Sequence, residues 1–590
     1  MLQPATAATV VGDFSRQNVT LHGRPFQLRA DDGRFFVIES YLTGKPREHR
    51  VEFTLGSRRV QHYLTTIENG WIVVLPPSWD VQRRAWFDNM DIVRPDARDR
   101  TPVQQWNKDC VGCHVSGEEK NFTPATRAYA TKWTDFGTSC ERCHGPGKLH
   151  VQQYTAARLV NPAADRHIVK PTRLEPAAST MICAQCHSLR TVINPDYTAG
   201  ADYYDFFNPR LEYDPGTDRE LPYWPDGRPR RFSNDAIGLW QSACFRRGNA
   251  TCTTCHRDPH EPNIERNAQL APTNNALCAQ CHQAIASRLT AHTRHSASSA
   301  GSSCVECHMP KTVISLNATM RDHTMSVPAP ENTVAFNIPN ACSNCHADKD
   351  PAWAVDVLKE WWPNGRRTKL VARAQAFAAA RKGSPAALEP LLAIAADTDA
   401  GPLIQATAVG YLRRYPGAPA RAALLEAARA EHPAIRAAAV AGLSDVEGGE
   451  RATVRNALVT ALSDSRRAVR IAALVSLVNG KGAPMTPTAE ARVRFVGREY
   501  ATLVPLYDDD PDFDRDLGLV HLLTGDFNAA GKALETGLLL NPRQPSASFL
   551  LALVRLGQGR RDDARALLEQ VPESDPSYAA AQQRLRQLRQ

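Results

Sequence analysis

Between residues 12 and about 90 apolar and polar positions alternate with a period of two. Phe26 and Leu28 run through Asp31-Asp32-Gly33 to Phe35 and Val37, and Val51, Phe53 and Leu55 keep the period. Val60, His62 and Leu64 lead through Glu68-Asn69-Gly70 to Trp71, Val73 and Leu75. Alternation interrupted by Asp-Gly and Asn-Gly marks half-buried strands joined by tight turns. A small antiparallel β region over 12–95 is predicted, packed on the middle of the chain. Residues 100–350 show weak periodicity and many Pro, Gly, Asn and Asp, which predicts loops and short helices. From about 352 the chain turns Ala-, Leu- and Arg-rich with helical spacing, and two repeat registers emerge. Ile404, Ile435 and Val469, followed by Leu412, Leu443 and Leu477, recur at periods of 31 and 34, which resembles HEAT-like repeats over 365–485. Gly525, Ala530, Leu534, Glu535 and Pro542 return at period 34 as Gly559, Ala564, Leu568, Glu569 and Pro576, which resembles tetratricopeptide repeats over 500–590. The predicted fold class is mixed and multidomain: an N-terminal antiparallel β region, a loop-rich short-helix core and a C-terminal α-solenoid.

The middle segment becomes interpretable through its cysteines. Seven copies of Cys-x-x-Cys-His use fourteen of the fifteen cysteines. They are Cys110/Cys113/His114, Cys140/Cys143/His144, Cys183/Cys186/His187, Cys252/Cys255/His256, Cys278/Cys281/His282, Cys304/Cys307/His308 and Cys342/Cys345/His346. Two thiols three positions apart can add to the two vinyl groups of one haem, and the next residue then supplies the proximal imidazole to its iron. Zinc sites pair two Cys-x-x-Cys units and need no His after each, and a disulfide framework needs none at all. The segment 100–350 therefore reads as a c-type multihaem domain with seven haem c groups. Porphyrins replace much of the apolar core that it lacks, so it should not fold stably without them.

Charge changes its meaning once cofactors are counted. The 590 residues carry a formal +8, but each ferric haem adds about +1 at the ring and about −2 from its propionates, which brings the holoprotein near neutrality and removes the case for nucleic acid. No run of eighteen apolar residues suggests a transmembrane segment. Covalent haem attachment implies export to a periplasmic or otherwise extracytoplasmic compartment, yet Met1-Leu-Gln-Pro-Ala-Thr-Ala-Ala-Thr-Val has neither a basic nor an apolar signal region. An additional N-terminal segment is expected.

What stands opposite each proximal histidine decides between electron carrier and catalyst: His, Met or Lys gives a six-coordinate redox centre, whereas an open position admits substrate. The candidate distal ligands are His150, His260, His295 and His323, then His292, His167 and His62, with His22 and His49 behind them. His432 and His521 lie in the helical repeats and suit packing or surface roles. Met309 and Met325 are weaker candidates, and Cys244 is read as a buried free thiol or a haem-contacting group.

At Cys140-Glu-Arg-Cys143-His144-Gly-Pro-Gly-Lys-Leu-His150, Cys304-Val-Glu-Cys307-His308-Met-Pro-Lys311 and Arg321-Asp322-His323 the chain resembles multihaem cytochromes of the c-552/c-554 type with doubled motifs, over residues 10 to 350. That resemblance implies that His150 and His323 are distal ligands. It also implies an eighth motif upstream of a Met-Gln-Pro-Ala-like segment, which here stands at Met1. Besides a scaffold whose haems are largely structural, two functions are consistent with this pattern. One is electron transfer along the haems to or from a redox partner protein docked on the solenoid; the other is a multihaem oxidoreductase acting on a small nitrogen or sulfur oxyanion at one open haem, although no Cys-x-x-Cys-Lys motif marks a lysine-ligated site.

Overall fold

The computed structural model describes residues 2–15, 17–40, 45–93, 104–157, 167–211, 222–230, 234–256, 260, 275–314, 318–363, 365, 367–443, 450–480 and 486–589. Two antiparallel sheets form the N-terminal part. Gln17–Leu21, Arg24–Asp31, Arg34–Glu39 and Arg47–Arg50 pair in chain order. The second sheet runs Leu2–Pro4, Phe53–Leu55, Val60–Thr66, Pro77–Asp80, Ala85–Asp88, with Ile72–Val74 also paired to Val60–Thr66. The hairpin at Asp32-Gly33 has φ of 48° and 71°, the backbone that Asp-Gly adopts most readily.

Phe14, Phe26, Leu28, Val37, Tyr63, Leu75 and Trp79 share one buried cluster. The second sheet is covered on its other side too. Leu2, Leu64, Ile72 and Val74 bury against Trp106, Cys110, Val111 and Val115, and Phe53 and Leu55 pack at the edge of that group. The sheet thus carries the first Cys-x-x-Cys-His turn directly, and Cys110 is part of its core.

Residues 104–350 contribute short helices and two-stranded ribbons such as Arg190–Val192 with Phe207–Pro209 and Lys311–Ile314 with Ala318–Arg321. The longer helices begin at Pro351–Trp361 and continue from Arg367–Arg381 to Tyr578–Arg589, packing on near neighbours along the chain. Proline opens several of them, including Pro402–Leu412, Pro433–Ala441, Pro487–Ala501 and Pro511–Leu523, where its missing N–H costs no hydrogen bond. In the period-34 region Gly525 and Gly559 both take φ of 77° just past a helix end, and Ala530, Ala564, Leu534 and Leu568 are all fully buried.

The helical array is not a separate body. Ala184, Ile193, Tyr203, Phe207, Ile237 and Trp240 from the motif region belong to the same apolar core as Phe377, Ile404, Leu412, Ile435 and Val469. Polar links reinforce the seam. Lys120 Nζ lies 2.7 Å from Asp508 and 2.8 Å from Asp509, and Arg466 reaches Asp202 at 2.9 Å. Among the described residues no helix is long and apolar enough to cross a membrane.

Candidate haem-binding sites

Each motif is wound on a helical turn. The backbone N–H groups of His114, His187, His256, His282 and His346 donate to the carbonyl of the first cysteine of their own motif at 3.2, 2.9, 2.8, 3.0 and 2.9 Å. Cys140–His144 and Cys304–His308 are short α-helices. Positions i, i+3 and i+4 of such a turn lie on one face, so both thiols and the imidazole are presented together. Among the described residues no disulfide joins any of the fifteen cysteines, and no three His, Cys, Asp or Glu converge as a zinc site requires.

Four motif histidines stand opposite a second imidazole. Ring centres are 6.1 Å apart for His187 and His260, 6.1 Å for His256 and His323, 6.1 Å for His308 and His292, and 6.2 Å for His346 and His295. Two imidazoles that share one metal through Nε2, with bonds of about 2 Å and about 1.1 Å from nitrogen to ring centre, have their centres about 6.2 Å apart. The spacing fits an iron between the rings.

In five of these histidines Nδ1 is already committed, which leaves Nε2 for metal. His144 Nδ1 bonds the Val169 carbonyl at 2.7 Å, His308 Nδ1 the Ser326 carbonyl at 3.0 Å and His295 Nδ1 the Thr293 carbonyl at 2.6 Å. His187 Nδ1 lies 3.0 Å from Asp235 Oδ2. His323 Nδ1 lies 3.0 Å from the Arg321 carbonyl and 3.2 Å from Asp235 Oδ1. Burial alone would raise the Asp235 pKa, but the two imidazoles hold its carboxyl well below the usual range.

The first motif is served by the β region. His62, on Val60–Thr66, bonds Ser78 Oγ through Nδ1 at 2.8 Å and meets the edge of Phe87. Burial pushes His62 down to about 4 and His114 to about 4, with His62 and His187 adding like-charge penalties to His114. Both imidazoles are therefore neutral, the form that binds metal. His22 and His49 are engaged elsewhere, 2.8 Å from Asp91 and 3.1 Å from Glu39.

His150, on Lys148–Ala157, rests against Tyr154 with ring centres 4.7 Å apart, and His167 is exposed. Among the described residues none of His114, His144 and His282 faces an imidazole at the spacing of the four pairs; His282 is exposed beside the His292–His308 pair. Of the weaker sequence candidates, Met325 holds a positive φ of 46° and Cys244 is partly buried near Cys281. His432 packs on Tyr204 and caps Pro433–Ala441, so it serves the helical array.

Several partners were not anticipated by the motif inventory. Trp353 lies 4.9 Å from the His346 ring, Trp361 6.2 Å from His295 and Trp362 5.6 Å from His292, all from Pro351–Trp361 and its cap. Trp362 remains 40% exposed, and Leu149 and Val151, which flank His150, are 57% and 60% exposed. These apolar surfaces are of the kind a porphyrin covers. The tryptophan-rich start of the helical region was the available signal.

Neighbouring motifs lie within interaction range of one another. The thiols of Cys113 and Cys186, of Cys183 and Cys252, and of Cys278 and Cys304 shift one another's titration. Cys255 lies within electrostatic range of Cys278, and Cys342 and Cys345 within that of Cys307.

Family comparisons agree with this picture. Residues 87–145 match the model for cytochrome c554 and c-prime, residues 244–287 that for the doubled CXXCH motif, and residues 521–588 that for the tetratricopeptide repeat. No curated protein matches the chain. The matched motifs are haem c anchors, and haem c brings iron.

Proposed function

We propose that this chain, a multihaem c-type cytochrome with a tetratricopeptide tail, carries single electrons along seven covalently held haems to or from a redox partner protein. Haem c supplies a one-electron iron couple when bound. The observation that carries the reading is the set of four opposed imidazole pairs at 6.1–6.2 Å. An iron closed on both faces by imidazole has no open position for substrate and serves as a carrier. In this reading His260, His323, His292 and His295 are the distal ligands to the irons of His187, His256, His308 and His346. His62 is the ligand opposite His114, and His150 and His167 remain the candidates for the other positions.

The protein's own work is to fix several of the imidazoles by their Nδ1 bonds and to space the carriers. Thiols within interaction range support an order for the motifs, from Cys110/Cys113 to Cys183/Cys186, then Cys252/Cys255, Cys278/Cys281, Cys304/Cys307 and Cys342/Cys345. The motif at Cys140/Cys143 sits beside the second of these, since Gln185 Nε2 donates to the Arg142 carbonyl at 2.9 Å. The HEAT-like and tetratricopeptide repeats offer a surface for the partner, and covalent haem attachment puts the protein in the periplasm or another extracytoplasmic space.

A second reading, a multihaem oxidoreductase acting on a small nitrogen or sulfur oxyanion, rests on His282: exposed, with no opposing imidazole among the described residues. One experiment separates the two. Haem content by pyridine haemochrome should give seven per chain, and low-temperature electron paramagnetic resonance of the ferric protein should show low-spin bis-imidazole signals only. A persistent high-spin haem that binds nitrite or sulfite would favour the oxidoreductase. A colourless product would end both.

A further inference from the structure

Asp235 opens the helix Asp235–Gln241 and lies between two motifs that the sequence separates widely. Its Oδ2 is 3.0 Å from Nδ1 of His187, and its Oδ1 is 3.2 Å from Nδ1 of His323. His187 is the motif histidine after Cys183/Cys186, whereas His323 stands opposite His256, the motif histidine after Cys252/Cys255. The helices Pro176–Ala184 and Cys252–Cys255 pack against each other, so the two motifs are immediate neighbours. Gly238, one turn along the same helix, has only 3.2 Å between the site of a Cβ and the His323 backbone, which holds helix and ligand together.

We infer that Asp235 is one anionic partner shared by imidazoles on two adjacent irons, and that it lowers and ties together the reduction potentials of that pair. The inference rests on the bis-imidazole assignment above. A carboxylate that accepts an imidazole N–H increases the basicity of the metal-bound nitrogen and stabilises the ferric state. Other Nδ1 acceptors among these ligands are neutral, namely the carbonyls of Val169, Ser326 and Thr293 and the Ser78 hydroxyl. His323 shares its proton between Asp235 and the Arg321 carbonyl, so the carboxylate's hold on it is the weaker of the two. Asp235 therefore makes the Cys183/Cys186 and Cys252/Cys255 motifs a low-potential step within the series.

The test is a spectroelectrochemical titration of the full-length holoprotein and its Asp235→Asn variant, with haem content measured on both. Asparagine keeps the size and removes the charge. Two of the midpoint potentials should rise, each by about tenfold in the ferric-to-ferrous equilibrium, or about 59 mV for a one-electron couple, while the remaining midpoints stay in place. Asp235→Glu, which keeps the anion, should return most of the shift. Unchanged potentials, a shift confined to one haem, or equal shifts in the Asn and Glu variants would overturn the inference. If Asp235→Asn loses haem, Asp235→Ser carries the same expectation. Failure of the bis-imidazole reading is distinguishable, because it would appear in the unsubstituted protein as high-spin signals.

Discussion

Gly301 leaves no room for a side chain: a Cβ there would stand 2.3 Å from the ring of His295. The ring is also tied back by its Nδ1 bond to the Thr293 carbonyl, so it cannot retreat without breaking that bond. Gly301→Ala should therefore displace His295 from His346 and convert one haem to a high-spin form, with the haem count unchanged. Electron paramagnetic resonance of the ferric variant checks this; a spectrum identical to that of the parent would show that His295 is not a ligand. Some of this scale was legible in advance. His260, His295, His323 and His292 stood out because histidine close to a haem anchor is chemically conspicuous. Asp235 did not, since acidic residues are common and its two partners lie 48 and 88 positions away in opposite directions along the chain, His187 before and His323 after.

Among the helices, Pro511–Leu523 carries an internal cost. Asp514 is buried, its Oδ2 has no hydrogen-bond partner, and burial raises its pKa to about 7, with Asp508 and Asp510 adding to the effect. In an unfolded chain the same carboxyl ionises near 4. Between those values the folded state binds the extra proton, so this group's contribution to stability falls as pH rises from about 4 to about 7. Asp514→Asn should raise the denaturation midpoint at pH 8 relative to the parent and leave it nearly unchanged at pH 4. A variant less stable than the parent at pH 8 would contradict this account. The neighbouring repeat helices were readable from Ala, Leu and Gly at a period of 34, because close helix contacts demand small residues at fixed places. The strands were readable only in part. Phe53 and Leu55 carry the expected period, but their sheet is packed on both faces, and alternation loses its meaning when neither face meets water.

For the whole molecule, the feature that composition conceals is the common core. Tyr203, Ile237 and Trp240 read as part of a haem-bearing segment, and Phe377, Ile404 and Leu412 as part of a repeat array, yet they bury one another. Removing residues 365–590 would expose the apolar side of the segment that holds Cys183 and Cys186. The shortened chain should keep every motif and still show a much lower Soret absorbance per polypeptide than the full chain. Full haem loading would show that the motif segment folds alone. Sequence signals are local, and a seam between two differently patterned stretches leaves no period to detect.

The proximity of Cys113 to Cys186, and of Cys183 to Cys252, bears on how the protein matures. Thiols this close are prone to oxidise into a crosslink that would block thioether formation at two stations at once. Under oxidising conditions the ligation machinery must reach each pentapeptide while the chain is still extended, before folding brings these sulfurs together. Maturation is thus a race between porphyrin capture and mispairing, and slow haem delivery should accumulate crosslinked, colourless chains.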